Sequence, residues 1–286
     1  MEQYAIALGM FDGVHIGHRA VLQSAIDSGY KSLAVTFDSL PFKNGGILMT
    51  PQIKEESLKA FGIDEVIFLN FEEVKDLAPL EFLEKLCHKY SVAKIVCGFN
   101  YRFGRKAEGT TQFLREYCKE RGIIFDEIPP VTQCDMPVSS TLIKELLNKG
   151  KAEEAEKLLT IPFYFKSVVG KGDHRGRTIE FPTANQRYPE NYVALKKGVY
   201  QTVVTIDGEE YDGVTNIGIR PTYPTDYITA ETYILNYSGD CYGKEMKTMI
   251  IKFLREEKKF NGLQELKNAI GENVRYVQQN SKLKNK

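Results

Sequence analysis

Two different periodicities divide this chain of 286 residues near Thr160. Before that point, short apolar runs alternate with helical stretches. The predicted strands cover residues 4–9, 32–37, 65–70, 94–99 and 123–128. The first predicted helix follows the turn after the first strand and ends at about residue 28, and the other helices cover residues 52–61, 80–90, 111–121 and 141–148. Buried strands separated by helices predict an α/β, doubly wound parallel sheet. In such sheets, ligands bind at the carboxyl ends of the strands, where the strand order switches.

After Pro162 the strand-like segments follow one another without long helices between them. They cover residues 164–169, 198–206, 210–216, 230–235 and 248–253, and a closing helix is predicted over 263–277. Several short strands at regular spacing predict a small antiparallel β-barrel with a terminal helix. We therefore expect two domains, residues 1–160 and 161–286.

The composition narrows the class of protein. Lys plus Arg and Asp plus Glu both number 38, so no overall field attracts nucleic acid or a membrane, and we expect neither as a partner. The 5 cysteines are widely spaced and odd in number, which favours a reducing compartment over a disulfide framework. No signal peptide and no apolar run of about 20 residues is visible, so a cytoplasmic protein is expected. The composition leaves the oligomeric state open.

The turn after the first strand, from Gly9 to His18, carries two histidines three residues apart. That spacing places both imidazoles on one side of the first helical turn, where unpaired N–H groups favour an anion such as a triphosphate. The structural alternative is a capped helix with two exposed histidines. The His-x-Gly-His pattern resembles the nucleotidylyltransferase signature, and the preceding Gly-Met-Phe-Asp-Gly-Val resembles its flavin adenylyltransferase branch. The resemblance implies catalytic and nucleotide-binding roles for His15, His18, Gly9, Phe11, Asp12 and Gly17.

Two further segments of the first half resemble the same branch. The segment containing Asn100 and Phe103 implies flavin contacts, and the Ser-Ser-Thr segment implies phosphate contacts from Ser139, Ser140, Thr141 and Lys144. Hydroxyls at a helix start also serve as plain N-caps, and both roles can coexist. The chain departs from the family at Leu40 (commonly a His before Pro), Asn100 (frequently Asp) and Lys144 (commonly Arg). Lys keeps the charge of Arg but not its bidentate fork.

The second half opens with a glycine- and arginine-rich turn before the sequence Pro-Thr-Ala-Asn. Glycines let backbone N–H groups approach an anion, and Arg offers a charged fork to phosphate, although such turns are often ordinary exposed loops. The tetrad resembles the riboflavin kinase signature, whose fold is a six-stranded barrel. The resemblance implies that Thr183 and Asn185 bind Mg²⁺ and the nucleotide phosphates. It also implies that the nucleotide is wrapped by Gly172, Arg175, Gly176 and Arg177.

Phosphoryl transfer to a hydroxyl also needs a proton acceptor on another element. Glu231 matches the family position of that base, although a strand Glu is by itself most often solvent-facing. The segment containing Asn216 and Arg220 matches the part that lies over nucleotide and flavin. These residues are the remaining site predictions.

Both motif sets occur in the order seen in bacterial bifunctional riboflavin kinase/FAD synthetases. The resemblance implies FAD biosynthesis: riboflavin is phosphorylated to FMN in the second half, and FMN is adenylylated to FAD in the first. Riboflavin, FMN and ATP are then the substrates, and Mg²⁺ is the expected cofactor. Three alternatives stay open: a riboflavin kinase with a degenerate first domain, a non-catalytic flavin-nucleotide binding or regulatory protein, and another adenylyltransferase fused to an unrelated barrel.

Overall fold

The computed structural model describes residues 2–38, 45–133, 136–170, 181–219 and 227–283. The chain divides into two compact units. The first comprises Met1–Leu142 and Leu158–Ile161, and the second comprises Ile143–Lys157 and Pro162–Lys286. Residues 143–157, which precede the change of periodicity near Thr160, therefore belong to the second unit. Among the described residues, no helix is both long and apolar enough to cross a membrane.

The first unit is built on a five-stranded parallel sheet, as predicted. Its strands are β1 (Tyr4–Leu8), β2 (Lys31–Phe37), β3 (Glu65–Leu69), β4 (Val92–Gly98) and β5 (Ile124–Ile128). The order across the sheet is β3-β2-β1-β4-β5. The central strand β1 carries small and branched apolar residues because helices cover both faces, and Ala5, Ile6 and Ala7 are 0% exposed.

Helices connect these strands. They are α1 (Ile16–Ile26), α2 (Pro51–Phe61), α3 (Phe71–Val74), α4 (Pro79–Lys89) and α5 (Thr111–Arg121), with a 3₁₀ turn at Arg105–Ala107. The two-stranded ribbon β6 (Thr132–Gln133) and β7 (Met136–Pro137) precedes α6 (Ser140–Asn148) and α7 (Ala152–Leu158). The residue pattern did not predict α3, because four residues are too few to show a helical period.

The strand order switches between β1 and β4, so the chain leaves these neighbouring strands in opposite directions across the sheet. This divergence opens a crevice at the carboxyl ends of β1 and β4. The β1–α1 loop (residues 9–15) begins at that edge, and so does the segment after β4 that contains Asn100. The fold thus brings the two flavin adenylyltransferase-like segments to one edge of the sheet.

The second unit contains a closed six-stranded antiparallel barrel and a terminal helix, α8 (Leu263–Gln279). The strands are β8 (Tyr164–Gly170), β9 (Thr183–Arg187), β10 (Gly198–Ile206), β11 (Glu209–Ile219), β12 (Ile228–Ile234) and β13 (Glu245–Arg255). They close in the order β10-β11-β12-β9-β8-β13. The residue patterns predicted five of these strands and missed β9, which holds the Thr and Asn of the tetrad.

Strand β9 has no apolar alternation because part of the barrel interior is polar. Gln186 is 1% exposed, and its amide oxygen accepts a 2.7 Å hydrogen bond from the Thr248 hydroxyl. A second buried chain joins the hydroxyls of Thr202, Thr215 and Thr232 at 2.8 and 2.9 Å. Pairing satisfies these buried polar groups, so a strand can be buried here without being hydrophobic.

Candidate functional site

The β1–α1 loop has an unusual backbone. Phe11 (φ 47°), Gly13 (φ 86°) and Val14 (φ 38°) all lie in the left-handed region. Bulky and β-branched residues rarely adopt it, and such strain persists only where the surroundings enforce it, often at functional sites. Phe11 and Val14 are 0% and 1% exposed, so burial of their side chains helps to enforce this path.

Side chains from several other elements hold alternate carbonyls of this loop. The Met10 carbonyl accepts from the Thr36 hydroxyl (2.9 Å), the Asp12 carbonyl from Ser140 (2.7 Å) and the Val14 carbonyl from Thr160 (2.5 Å). In a planar trans peptide the next N–H points away from the carbonyl. The backbone N–H groups of Phe11, Gly13 and His15 therefore face away from the side chains that bind these carbonyls, as an anion-binding backbone requires.

His15 and His18 stack at the start of α1, with ring centroids 3.6 Å apart and planes at 18°. His15 is the N-cap, and its Nδ1 accepts the His18 backbone N–H at 3.2 Å. Since Nδ1 accepts, the proton of the neutral ring resides on Nε2. The His18 ring also meets the edge of Phe11, with centroids 5.4 Å apart. The predicted juxtaposition of the two imidazoles is therefore present.

Both imidazoles are neutral at neutral pH. Burial lowers the pKa of His15 to about 4. Burial, with electrostatic effects of His15 and Lys54, lowers the pKa of His18 well below its usual value. Among the described residues, His18 Nδ1 is a buried nitrogen with no hydrogen-bond partner. Two neutral N–H donors thus stand beside the loop, and a bound anion would favour their protonation.

The other predicted residues of this turn shape it. A Cβ at Gly17 would lie 3.1 Å from the His15 ring, and one at Gly9 would lie 2.8 Å from the Phe11 ring, so both glycines make room for close approach. The Asp12 carboxylate is buried and accepts from the backbone N–H groups of Leu48 (2.8 Å) and Met49 (3.3 Å). Phe11 and Asp12 can therefore meet a nucleotide through their backbone, while their side chains fix the loop.

The Ser-Ser-Thr segment lies at the start of α6. The Ser139 hydroxyl accepts the Leu142 N–H at 3.2 Å, the N-cap interaction expected from the sequence. Ser140 donates to the β1–α1 loop, and Thr141 is exposed. Lys144 is half-buried and lies one helical turn beyond Ser140.

The two predicted flavin residues after β4 differ in exposure. Asn100 is exposed at the carboxyl end of the strand. Phe103 is 6% exposed and belongs to the apolar core, where its ring packs near Phe82 (5.6 Å), Tyr101 (5.8 Å) and Phe113 (6.1 Å). Phe103 therefore has a packing role, whereas Asn100 lies at the surface of this segment.

In the barrel, three predicted residues form a cross-strand row: Asn185 on β9, Glu231 on β12 and Asn216 on β11. Asn185 is paired directly with Glu231, and Glu231 directly with Asn216. Directly paired residues of an antiparallel sheet project to the same face, with Cβ atoms about 5 Å apart. All three are half-buried. The Asn216 amide donates to the exposed Glu257 carboxylate at 3.1 Å.

Thr183 lies two residues before Asn185 and shares its face. The Asn185 Nδ2 lies 3.1 Å from the Thr183 carbonyl and 3.5 Å from its hydroxyl. This bond directs the amide nitrogen toward Thr183 and leaves the amide oxygen for another ligand. Oxygen donors of this kind suit Mg²⁺, which binds few protein groups and keeps phosphates and waters. Within the described ranges, no cluster of three or more His, Cys, Asp or Glu suits a metal.

Six residues singled out in the sequence lie outside the described residues. They are Leu40, Gly172, Arg175, Gly176, Arg177 and Arg220. Their predicted roles remain predictions.

Three residues that hold the β1–α1 loop were not predicted from the sequence: Thr36, Lys54 and Thr160. Lys54 had a visible signal, because it lies one turn before Leu58 on the buried face of α2, where an apolar residue would be expected. Thr36 and Thr160 gave none, since a Thr at a strand end or after a helix is commonplace.

Known proteins match both halves of the chain. Residues 1–142 match the family model described as FAD synthetase, and residues 159–281 match the one described as riboflavin kinase. A bifunctional riboflavin kinase/FMN adenylyltransferase of Listeria monocytogenes is 35% identical, with 91% of this chain and 87% of the relative covered. The Bacillus subtilis protein of the same name is 32% identical, with 93% and 88% covered.

A solved structure resembles the whole chain. The crystal structure titled macrolide-efflux protein from Streptococcus pneumoniae superposes with a TM-score of 0.88 at 26% identity. The match covers 98% of this chain and 95% of that one. This likeness supports the fold over both units.

Proposed function

We propose that this chain, which belongs to the bifunctional riboflavin kinase/FMN adenylyltransferase family, makes FAD from riboflavin in two ATP-dependent steps. Residues 161–286 are assigned the phosphorylation of riboflavin to FMN. Residues 1–160 are assigned the adenylylation of FMN to FAD. The observation that carries the proposal is that each unit groups its own set of matched residues: the stacked histidines in one, the cross-strand row in the other.

In the first step, the primary hydroxyl of riboflavin attacks the γ-phosphorus of ATP, and the bond from that phosphorus to ADP breaks. The hydroxyl proton needs an acceptor, and Glu231 is the carboxylate in the row. Asn185 lies beside Glu231, so the group that meets the phosphates and the group that takes the proton are held about one strand spacing apart. Positioning of this kind supplies much of the catalysis in phosphoryl transfer.

Thr183 and Asn185 are the proposed Mg²⁺ and phosphate ligands. When bound, the ion neutralises charge on the transferring phosphoryl group. The Thr183 hydroxyl and the Asn185 amide oxygen are the donors that this chain offers on that face. Gly172, Arg175, Gly176 and Arg177 are assigned to the nucleotide, and Asn216 and Arg220 to the flavin side.

In the second step, a phosphate oxygen of FMN attacks the α-phosphorus of a second ATP, and pyrophosphate leaves. The attacking oxygen is already anionic, so no base is needed. Catalysis then consists of positioning and of stabilising charge on the phosphates. His15 can donate through Nε2–H, and His18 lies stacked against it. Gly9, Phe11, Asp12 and Gly17 shape the loop whose backbone faces the phosphates.

The remaining groups predicted from the first half of the sequence complete this assignment. The Ser-Ser-Thr residues Ser139, Ser140 and Thr141, together with Lys144, are proposed to meet the phosphates, and Asn100 is proposed to meet the flavin. Of the three positions at which the chain departs from the family, Asn100 is still polar and Lys144 still charged, whereas Leu40 is apolar. A kinase with an inactive first unit is the alternative that these departures motivate.

Labelled ATP tests the assignment directly. With riboflavin as acceptor, label in the γ-phosphate should enter FMN and FAD, whereas label in the α-phosphate should enter FAD alone. Label from the γ-phosphate in FMN with no α-label in any flavin would support the kinase-only alternative. Flavin bound but never labelled would support a binding protein.

A further inference from the structure

Lys54 is a buried lysine at the carboxyl edge of the parallel sheet. It is 3% exposed, although lysine is rarely buried without partners. Its Nζ donates to the carbonyls of Met10 (2.9 Å) and Phe37 (3.2 Å) and to the Thr36 hydroxyl (3.3 Å). One ammonium on α2 therefore contacts both the β1–α1 loop and the end of β2.

These contacts converge on one carbonyl. The Thr36 hydroxyl donates to the same Met10 oxygen that Lys54 binds, so this carbonyl has two donors, one of them charged. Hydrogen bonds from charged donors are roughly twice as strong as those between neutral groups. Met10 directly precedes Phe11, the first residue of the loop with positive φ. Lys54 thus holds the peptide at which the loop begins its left-handed path.

The charge of Lys54 also acts on the imidazole of His18, whose pKa it helps to lower. Asp12, whose carboxylate is tied to the backbone of Leu48 and Met49, is the acidic residue of the loop.

We propose that Lys54 is a positioning residue for adenylyl transfer. By holding the Met10 carbonyl, Lys54 keeps the N–H groups on the other face of the β1–α1 loop, and both imidazoles, oriented toward the ATP phosphates. The inference rests on the proposed function of the first unit. Lys54 acts through the loop and need not touch the substrate.

The test is Lys54→Met in the full chain, which keeps the length and apolar stem of the side chain and removes the ammonium. Since a displacement of about 1 Å can cost ~10²-fold, kcat for FAD formation from FMN should fall ~10- to 100-fold, with KM for ATP changing far less. FMN formation from riboflavin should stay within about twofold. The matched control is Lys59→Met, which alters an exposed lysine on the same helix that pairs with Glu55 at 2.6 Å.

A second pair of variants covers the case in which Lys54→Met fails to fold. Thr36→Val removes the other donor to the Met10 carbonyl at nearly constant shape, and Thr36→Ser restores a hydroxyl. FAD formation should fall in the first and return in the second. The proposal is overturned if folded Lys54→Met keeps the wild-type kcat per folded molecule, even with a lower melting temperature. If Lys54→Met does not fold, the same result for Thr36→Val overturns it. A wild-type chain that makes no FAD would instead overturn the proposed function itself.

Discussion

Asn185 and Glu231 are paired directly across strands β9 and β12 of the barrel. Asn216 occupies the next place in the same row, opposite Glu231 on β11. The proposed phosphate ligand, the proposed base and the amide proposed for the flavin side are therefore fixed by sheet register and not by flexible loops. Behind them, the buried hydroxyls of Thr215 and Thr232, bonded at 2.9 Å, help to hold β11 and β12 in that register.

Glu231→Gln should abolish most FMN formation while leaving the adenylylation of supplied FMN intact. A general base contributes ~10²–10⁴-fold, so kinase turnover should fall by that factor. Steady-state assays with riboflavin and with FMN measure the two activities separately. The matched control is Glu209→Gln, an exposed glutamate on β11, which should behave as wild type. A Glu231→Gln chain with near wild-type kinase turnover would remove Glu231 as the base.

Asn216→Asp should move the acid limb of the kinase pH profile to higher pH. The new carboxylate would face Glu231 directly across the sheet, and a like charge at that distance raises the pKa of a carboxyl group. Glu231 would then be protonated, and inactive as a base, over a wider acidic range. Asn216→Ala is the control, since it removes the amide without adding charge. An unchanged acid limb in Asn216→Asp would show that the rate does not depend on the ionisation of Glu231.

His18→Ala should have the reverse effect of Glu231→Gln. FAD formation from FMN should fall by ~10²–10³-fold, the usual cost of losing one donor to developing charge, and FMN formation should persist. His88→Ala alters an exposed histidine on α4 and should change neither activity. Normal FAD output from His18→Ala would contradict the assignment of the histidine pair.

The stability of the protein should fall as the pH is lowered from about 6.5 toward 4. Burial lowers the pKa of His15 to about 4, so in that range the unfolded chain takes up a proton that the folded chain resists. Above about pH 6.5 the imidazole is neutral in both the folded and the unfolded chain, so its burial does not lower the free energy of unfolding. Acidification lowers that free energy by up to about 3 kcal/mol. Urea unfolding at a series of pH values measures the slope.

His15→Asn supplies the comparison for that experiment. Asn keeps an N-cap acceptor for α1 but does not titrate, so its unfolding free energy should depend less on pH than the wild type. Some dependence should remain, because the pKa of His18 is lowered as well. His88→Asn should follow the wild type. Equal slopes for His15→Asn and wild type would show that His15 is not held in its neutral form by folding.

The sequence predicted the architecture through periodicity, and the parallel sheet was found as expected because its strands are buried on both faces. It failed at β9, where interior Gln186 is satisfied by Thr248 and no apolar alternation is needed. The register of the strands could not be predicted either, because nothing in the residues around Glu231 indicates that Asn185 and Asn216 flank it. Motif resemblance named candidate site residues but not their spatial order.

The loop anchors could not be predicted for a different reason. Lys54, Ser140 and Thr160 come from distant parts of the chain and meet the β1–α1 loop only after folding. Similarly, Phe103 was predicted as a flavin contact from the resemblance of its segment, and that segment does not show that its ring packs near three other aromatic rings in the core. Long-range packing decides such cases, and a local pattern carries little information about it.

A time course of flavin products tests the central claim, two reactions in series on one chain, most directly. The purified protein is incubated with riboflavin, ATP and Mg²⁺, and the flavins are separated by chromatography. The account predicts that FMN rises first and then gives way to FAD. FMN that accumulates without FAD, even when FMN is supplied, would contradict the claim and leave a kinase with an inactive first unit. No conversion of riboflavin would contradict it entirely.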